Sequence, residues 1–241
     1  MKAILYIGHG TRSKKGAEEV KSFLNRVIER VDTLIQEVSF LELTEPSIEE
    51  GFRRCVERGA TEMTVVPIFL LAAGHIKEDI PNVLSALSEQ YPEVRVNVRN
   101  PFGVQDEILN AIAELVREAA GKVTPQDAVL IVGRGSSDPS IHTAFTMIAS
   151  GIKERLQTNH VSVCYLAAAE PRLPEGFEAA MESSAGRVIV IPYLLFSGLL
   201  LAEVNQMVRK KQNEREIICT GQLSRHRVIE DIVVEGFDEI R

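Results

Sequence analysis

Ala3-Ile-Leu-Tyr-Ile-Gly-His-Gly10 is written a second time, 125 positions further on, as Ala128-Val-Leu-Ile-Val-Gly-Arg-Gly135. The same offset carries Leu41–Phe52 (LELTEPSIEEGF) onto Leu166–Phe177 (LAAAEPRLPEGF), and Val65–Leu71 (VVPIFLL) onto Val190–Phe196 (VIPYLLF). Paired glycines, a Glu-Pro step, a Gly-Phe step and a strand-ending proline all recur. One shift preserved across three separate motifs marks a duplicated chain. The polar stretch AAGKVTPQD, Ala119 to Asp127, falls where the copies join. It sets an N-terminal lobe at 1–122 and a C-terminal lobe at 123–241.

Each copy alternates short β-branched runs with helical patterns. In the first copy the strands are expected near 3–7, 35–40, 63–67 and 94–98. They are continuous apolar runs, as strands covered on both faces must be. PSIEEGFRRCVERG places Pro46 at a helix start and Gly59 at its stop, and EDIPNVLSALSEQY carries Pro81 in a first turn. Strands alternating with helices imply parallel sheets with right-handed crossovers. The expected fold is α/β, two tandem four-stranded parallel sheets flanked by helices, with a cleft lined by the strand ends. In such sheets ligands bind beyond the carboxyl ends of the strands.

The 241 residues are 45% hydrophobic and 25% charged, ordinary globular usage. A net charge of −7 speaks against nucleic acid as a partner. VVPIFLLAAG is too short to span a membrane, and the N-terminus lacks the pattern of a secretory signal. Cys55, Cys164 and Cys219 are odd in number and widely spaced, with no CxxC or zinc-ligand pattern. These features lead us to expect a cytoplasmic protein.

Duplication supplies an internal control. Residues kept in both copies serve the fold, and polar residues present in one copy are candidates for chemistry. His9 becomes Arg134, Glu42 becomes Ala167, and His75 becomes Leu200. All three fall at or just beyond strand ends of the first copy. His9 stands between Gly8 and Gly10, where close approach is possible. The shared Glu45 and Glu170 precede proline at a helix start and are expected to cap. His142, His160 and His226 are expected to be satisfied or solvated without a role in the chemistry, on a helix, in a loop and near a helix start. Two imidazoles and a carboxylate suit a divalent ion such as Fe²⁺, Co²⁺ or Ni²⁺. With so few protein ligands the ion would be held for delivery, and the same groups could accept protons near neutral pH.

ILYIGHGTR, SFLELTEPSIEEGF, VVPIFLLAAGHIKEDIP and LIVGRGSSDP together resemble the class II chelatases over essentially the whole chain. The resemblance is closest to the long, two-domain branch that inserts Fe²⁺ into sirohydrochlorin with loss of two pyrrole protons. It implies flavodoxin-like lobes, metal handling by His9 and His75 with Glu42, and no permanently bound cofactor, the metal being a substrate. The chain ends in EGFDEIR, without the His-rich tail or Cys-rich motif that cobalt-inserting relatives can carry, which favours iron. Cobalt insertion and a non-catalytic metal- or tetrapyrrole-binding protein remain alternatives. A monomer is expected.

Sirohydrochlorin is a polyanion, so an acidic protein needs local cations. Candidates in the first copy are Arg12, Lys14, Lys15 and Lys77. In the second they are Arg134 and the Gly135-Ser136-Ser137 turn, where a helix N-terminus could offer N–H groups. Two rival readings fail on the residues. A histidine phosphatase needs arginine before the histidine, and Gly8 stands there. A dinucleotide fingerprint needs glycine where Ser13 stands.

Overall fold

The computed structural model describes residues 1–183 and 186–238, with the side chains of His75 and Asp238 outside that description. Among the described residues the strands form two four-stranded sheets, all parallel. The first contains β1 (Lys2–Gly8), β2 (Ile35–Phe40), β3 (Glu62–Pro67) and β4 (Arg95–Val98) in the order β2-β1-β3-β4. The second contains β5 (Ala128–Gly133), β6 (His160–Tyr165), β7 (Val188–Pro192) and β8 (Ile217–Cys219) in the order β6-β5-β7-β8. This is the flavodoxin-like order. The registers correspond: Ala3 pairs with Ile35 and Met63, and Ala128 with His160 and Val188.

In each sheet the chain leaves the first strand for one neighbour and returns on the other side. The switch point therefore lies between β1 and β3, and between β5 and β7. That is where a doubly wound sheet opens a crevice at its carboxyl edge. β1 is buried from Ala3 to Gly8 and β5 along its whole length, which explains their unbroken apolar runs.

The helices follow α1 (Lys14–Ile28), α2 (Ile48–Glu57), α3 (Ile80–Gln90), α4 (Asp106–Ala120), α5 (Pro139–Leu156), α6 (Leu173–Ser183), α7 (Leu199–Lys211) and α8 (Val228–Asp238). A π-helical turn, His75–Asp79, leads into α3. α1 turns Val20, Phe23, Leu24 and Val27 inward. α2 packs Ile48, Phe52 and Cys55 onto Leu5, Ile7, Met63 and Val65. Two details correct the sequence reading. The cap of α2 is Ser47, whose hydroxyl accepts from the Glu50 N–H at 3.3 Å, while Glu45 only accepts the Ser47 N–H ahead of the helix. His160 is the first residue of β6, not part of a loop.

The compact units are not the two covalent repeats. One comprises Met1–Gly103 and the chain from Glu230, and the other Val104–Ile229. Each repeat thus gives its last helix to the other unit. α4 packs against α5, β7 and β8 through a face that includes Ile108, Leu109, Ile112 and Val116. α8 closes the first unit. Phe237 meets the Tyr6 ring edge-on at 6.3 Å and lies under the Arg99 guanidinium at 4.2 Å. Arg26 donates to Glu230 at 2.7 Å and Arg30 to Asp231 at 2.6 Å.

Asp127 anchors the second unit at the amino end of β5. It is 2% exposed, and Arg187 grips it with contacts of 2.9 and 3.2 Å while also holding the carbonyls of Ala120 and Lys122. Burial pushes the carboxyl up, but Arg187 and the Thr124 and Arg187 N–H groups outweigh it. Together they bring the pKa from the ordinary 3.8 down to about 2. A pKa lowered by folding stabilises above the ordinary value, and that contribution fades as pH falls through about 2. Urea denaturation from pH 6 to pH 2 should show Asp127→Asn less stable than the parent by about 2 kcal/mol at pH 6. The gap should close towards pH 2. A gap that is constant with pH would remove the charge from this account.

Candidate metal-handling site

The site forms where β1 and β2 run out. Their backbones stay paired past the sheet: the Leu41 N–H donates to the Gly8 carbonyl at 2.9 Å and the Glu42 N–H to the His9 carbonyl at 3.1 Å. Gly10 has φ +93°, and a Cβ there would lie 1.6 Å from the Glu42 carbonyl oxygen. Only glycine allows the loops to approach so closely. The second unit repeats this arrangement. Gly135 has φ +88°, its Cβ would lie 1.9 Å from the Ala167 carbonyl oxygen, and the Ala167 N–H donates to the Arg134 carbonyl at 2.7 Å.

On the first frame, His9 Nδ1 stands 3.6 Å from Glu42 Oε1 and 3.2 Å from the Gly10 carbonyl. The 3.6 Å gap is long for a hydrogen bond. It suits two donors of one ion, since ligands each ~2.0–2.2 Å from a tetrahedral metal lie roughly 3.3–3.6 Å apart. Both side chains are partly open, at 30% and 46% exposure, so an ion can reach them. The His9 ring also tilts against Phe69, with centroids 6.0 Å apart. Phe69 follows β3, which ties the pair to the switch point.

The backbone of His75 lies beyond β3, at the start of the π turn. Its side chain lies outside the described residues. Among the described residues no three or more of His, Cys, Asp and Glu gather around a common point. His9 and Glu42 are brought together; the third expected ligand is placed by its backbone alone. Burial pushes the Cys55 and Cys164 thiols up to about 12, so neither offers a thiolate near neutral pH.

Arg12, Lys14 and Lys15 are exposed around the start of α1, and Lys77 is exposed on the π turn. In the second unit Arg134 is exposed at the end of β5. The neighbouring helix terminus is already occupied: Asp138 accepts the Ser140 N–H at 2.9 Å, and Ser136 accepts the Asp138 N–H at 3.1 Å. The Gly135-Ser136-Ser137 turn thus faces a carboxylate cap, which leaves Arg134 as the stronger anion donor there.

Sequence reasoning missed two members of the Glu42 loop. Leu43 adopts φ +61° and is 51% exposed, an uncommon state for leucine. Thr44 reaches across to Thr11. Thr44 could have been found, because its counterpart in the second copy is Ala169.

The CbiX family matches this chain twice, over residues 3–119 and 128–240. The chain belongs to the CbiX family. Its two CbiX copies are the two repeats, and they flank the Ala119–Asp127 join. A sirohydrochlorin ferrochelatase of Priestia megaterium is 41% identical over 94% of this chain and 85% of its own length. A sirohydrochlorin cobaltochelatase of the same organism is 30% identical over 99% of this chain and 80% of its own. The solved structure of SirB from Bacillus subtilis with Fe³⁺ superposes with a TM-score of 0.87 at 35% identity, covering 99% of this chain and 94% of that one. No helix among the described residues of this CbiX chain is long and apolar enough to cross a membrane.

Proposed function

We propose that this CbiX-family chain is a sirohydrochlorin ferrochelatase, which inserts Fe²⁺ into sirohydrochlorin and releases two protons. The observation that carries the reading is the His9–Glu42 pair, 3.6 Å apart beside a sheet switch point and present in one repeat only. A ferrochelatase relative at 41% identity, against 30% for a cobaltochelatase, supports iron over cobalt.

In this reading His9, Glu42 and His75 hold the ion as a substrate. Two pyrrole N–H bonds break as metal–nitrogen bonds form. The protons pass to Glu42 or an imidazole and then to water, so charge balances without an oxidant. Arg134 grips a substrate carboxylate with its forked guanidinium, and Arg12 and the Gly135–Ser137 turn contribute polar contacts. The protein works as a cytoplasmic monomer with no resident cofactor.

The test is to mix purified protein, sirohydrochlorin and either Fe²⁺ or Co²⁺ without oxygen and follow the absorption spectrum. Multiple turnovers to sirohaem are expected, faster than with cobalt. Stoichiometric binding without turnover would make this a carrier. Cobalt outpacing iron would make it a cobaltochelatase. Arg134→Ala should weaken sirohydrochlorin binding by about 1.5–3 kcal/mol, the scale of a hydrogen bond to a charged group. Its affinity for Co²⁺ alone should match the parent's. The reverse pattern in separate titrations would move Arg134 to the metal site.

A further inference from the structure

We propose that Thr44 is a positioning residue for the metal-handling pair, its hydroxyl holding the Glu42 loop against the His9 loop. The inference rests on the chelatase reading of that pair. Thr44 Oγ1 accepts the Thr11 N–H at 2.9 Å and donates to the Thr11 carbonyl at 3.1 Å. A hydroxyl carries one donor and accepts through its lone pairs. Here both functions are spent on a single residue of the facing loop. Thr11 lies two residues after His9, and Thr44 two residues after Glu42. The bridge therefore closes the far side of the frame whose near side is the Glu42 N–H bond to the His9 carbonyl. Between the two lies Leu43, in the left-handed region at φ +61°.

The second unit shows that folding does not require the bridge. Ala169 stands where Thr44 does. The turn is nevertheless the same: Ala168 has φ +52°, and the Ala167 N–H reaches the Arg134 carbonyl at 2.7 Å. Even the Thr11 role within its own loop survives. Ser13 N–H donates to Thr11 Oγ1 at 3.1 Å, as Asp138 N–H does to Ser136 Oγ at the same distance. What the second copy lacks is the cross-loop hydroxyl, together with the imidazole and the carboxylate. The hydroxyl travels with the chemistry, and its task is to keep two donors at a spacing one ion can bridge.

The test compares Thr44→Ala, which copies the natural second repeat, with Thr44→Val, which keeps the shape without the hydroxyl, and Thr44→Ser, which restores it. Co²⁺ alone is titrated into each protein and read from its visible ligand-field bands. Ala and Val are expected to weaken Co²⁺ binding about 10-fold, the scale found for groups that orient metal ligands, and Ser to stay within about two-fold of the parent. In turnover, Ala and Val should lose kcat with KM for sirohydrochlorin unchanged. Melting temperatures of all three should match the parent. Parent-like Co²⁺ affinity in both Ala and Val would overturn the proposal. So would affinity lost together with melting temperature and not restored by Ser. A parent that binds Co²⁺ but inserts no metal would defeat the chelatase reading instead, and the Co²⁺ titrations would still decide the role of Thr44.

Discussion

His9→Ala inserts metal about 10²–10⁴-fold more slowly than the parent, the range for loss of a positioned acid–base group, and melts at the parent's temperature. The rate falls because the variant leaves Glu42 without its partner donor 3.6 Å away. Stability holds because the same backbone position in the second unit carries Arg134 on the same paired loop. The fold thus accepts a different side chain there. His75→Ala should behave alike, since it too has no counterpart in the second copy, where Leu200 stands. Absorption-based turnover and thermal unfolding measure the two quantities. Insertion within a few-fold of the parent in either variant would remove that histidine from the chemistry.

Gly10→Ala should do more damage than any surface change nearby, and of a different kind. A Cβ at this position would lie 1.6 Å from the Glu42 carbonyl oxygen, and the backbone already sits at φ +93°. The clash is with backbone, so no side-chain rotation relieves it. The left-handed penalty of about 1–2 kcal/mol adds to an overpacking cost of about 1–3 kcal/mol. The two loops must separate, which spreads His9 from Glu42. We expect a loss of roughly 2–5 kcal/mol by urea denaturation, with insertion lost as well. Gly135→Ala meets the same obstacle at 1.9 Å from Ala167, and should cost comparable stability without disturbing Co²⁺ binding. A stable, active Gly10→Ala would show that the close approach of these loops is not required.

The strands and the duplication were legible in the sequence because β1 and β5 are buried along nearly their whole length. Burial on both faces permits only apolar residues, so the two copies remain alike. The exchange of α4 and α8 was not legible. An apolar stripe such as Ile108, Leu109, Ile112 and Val116 says that a helix is covered, not which sheet covers it. His9 and Glu42 stood out because the second copy replaces both. Thr44 did not, although the same comparison marks it. A threonine reads as ordinary loop composition until its hydroxyl is seen on the backbone of Thr11. The cap of α2 is hard to read from sequence for a local reason: Ser47 and Glu45 are both good acceptors, and geometry alone selects the hydroxyl.

The most direct test of the account is to locate one ion. Crystals of the protein grown with Co²⁺, measured on either side of the cobalt absorption edge, should show a single strong anomalous peak beside His9 and Glu42. It should lie ~2.0–2.2 Å from a nitrogen of His9 and an oxygen of Glu42, with His75 as a further ligand. A peak in the second unit, or one that leaves His9 and Glu42 without contact to the ion, would contradict it.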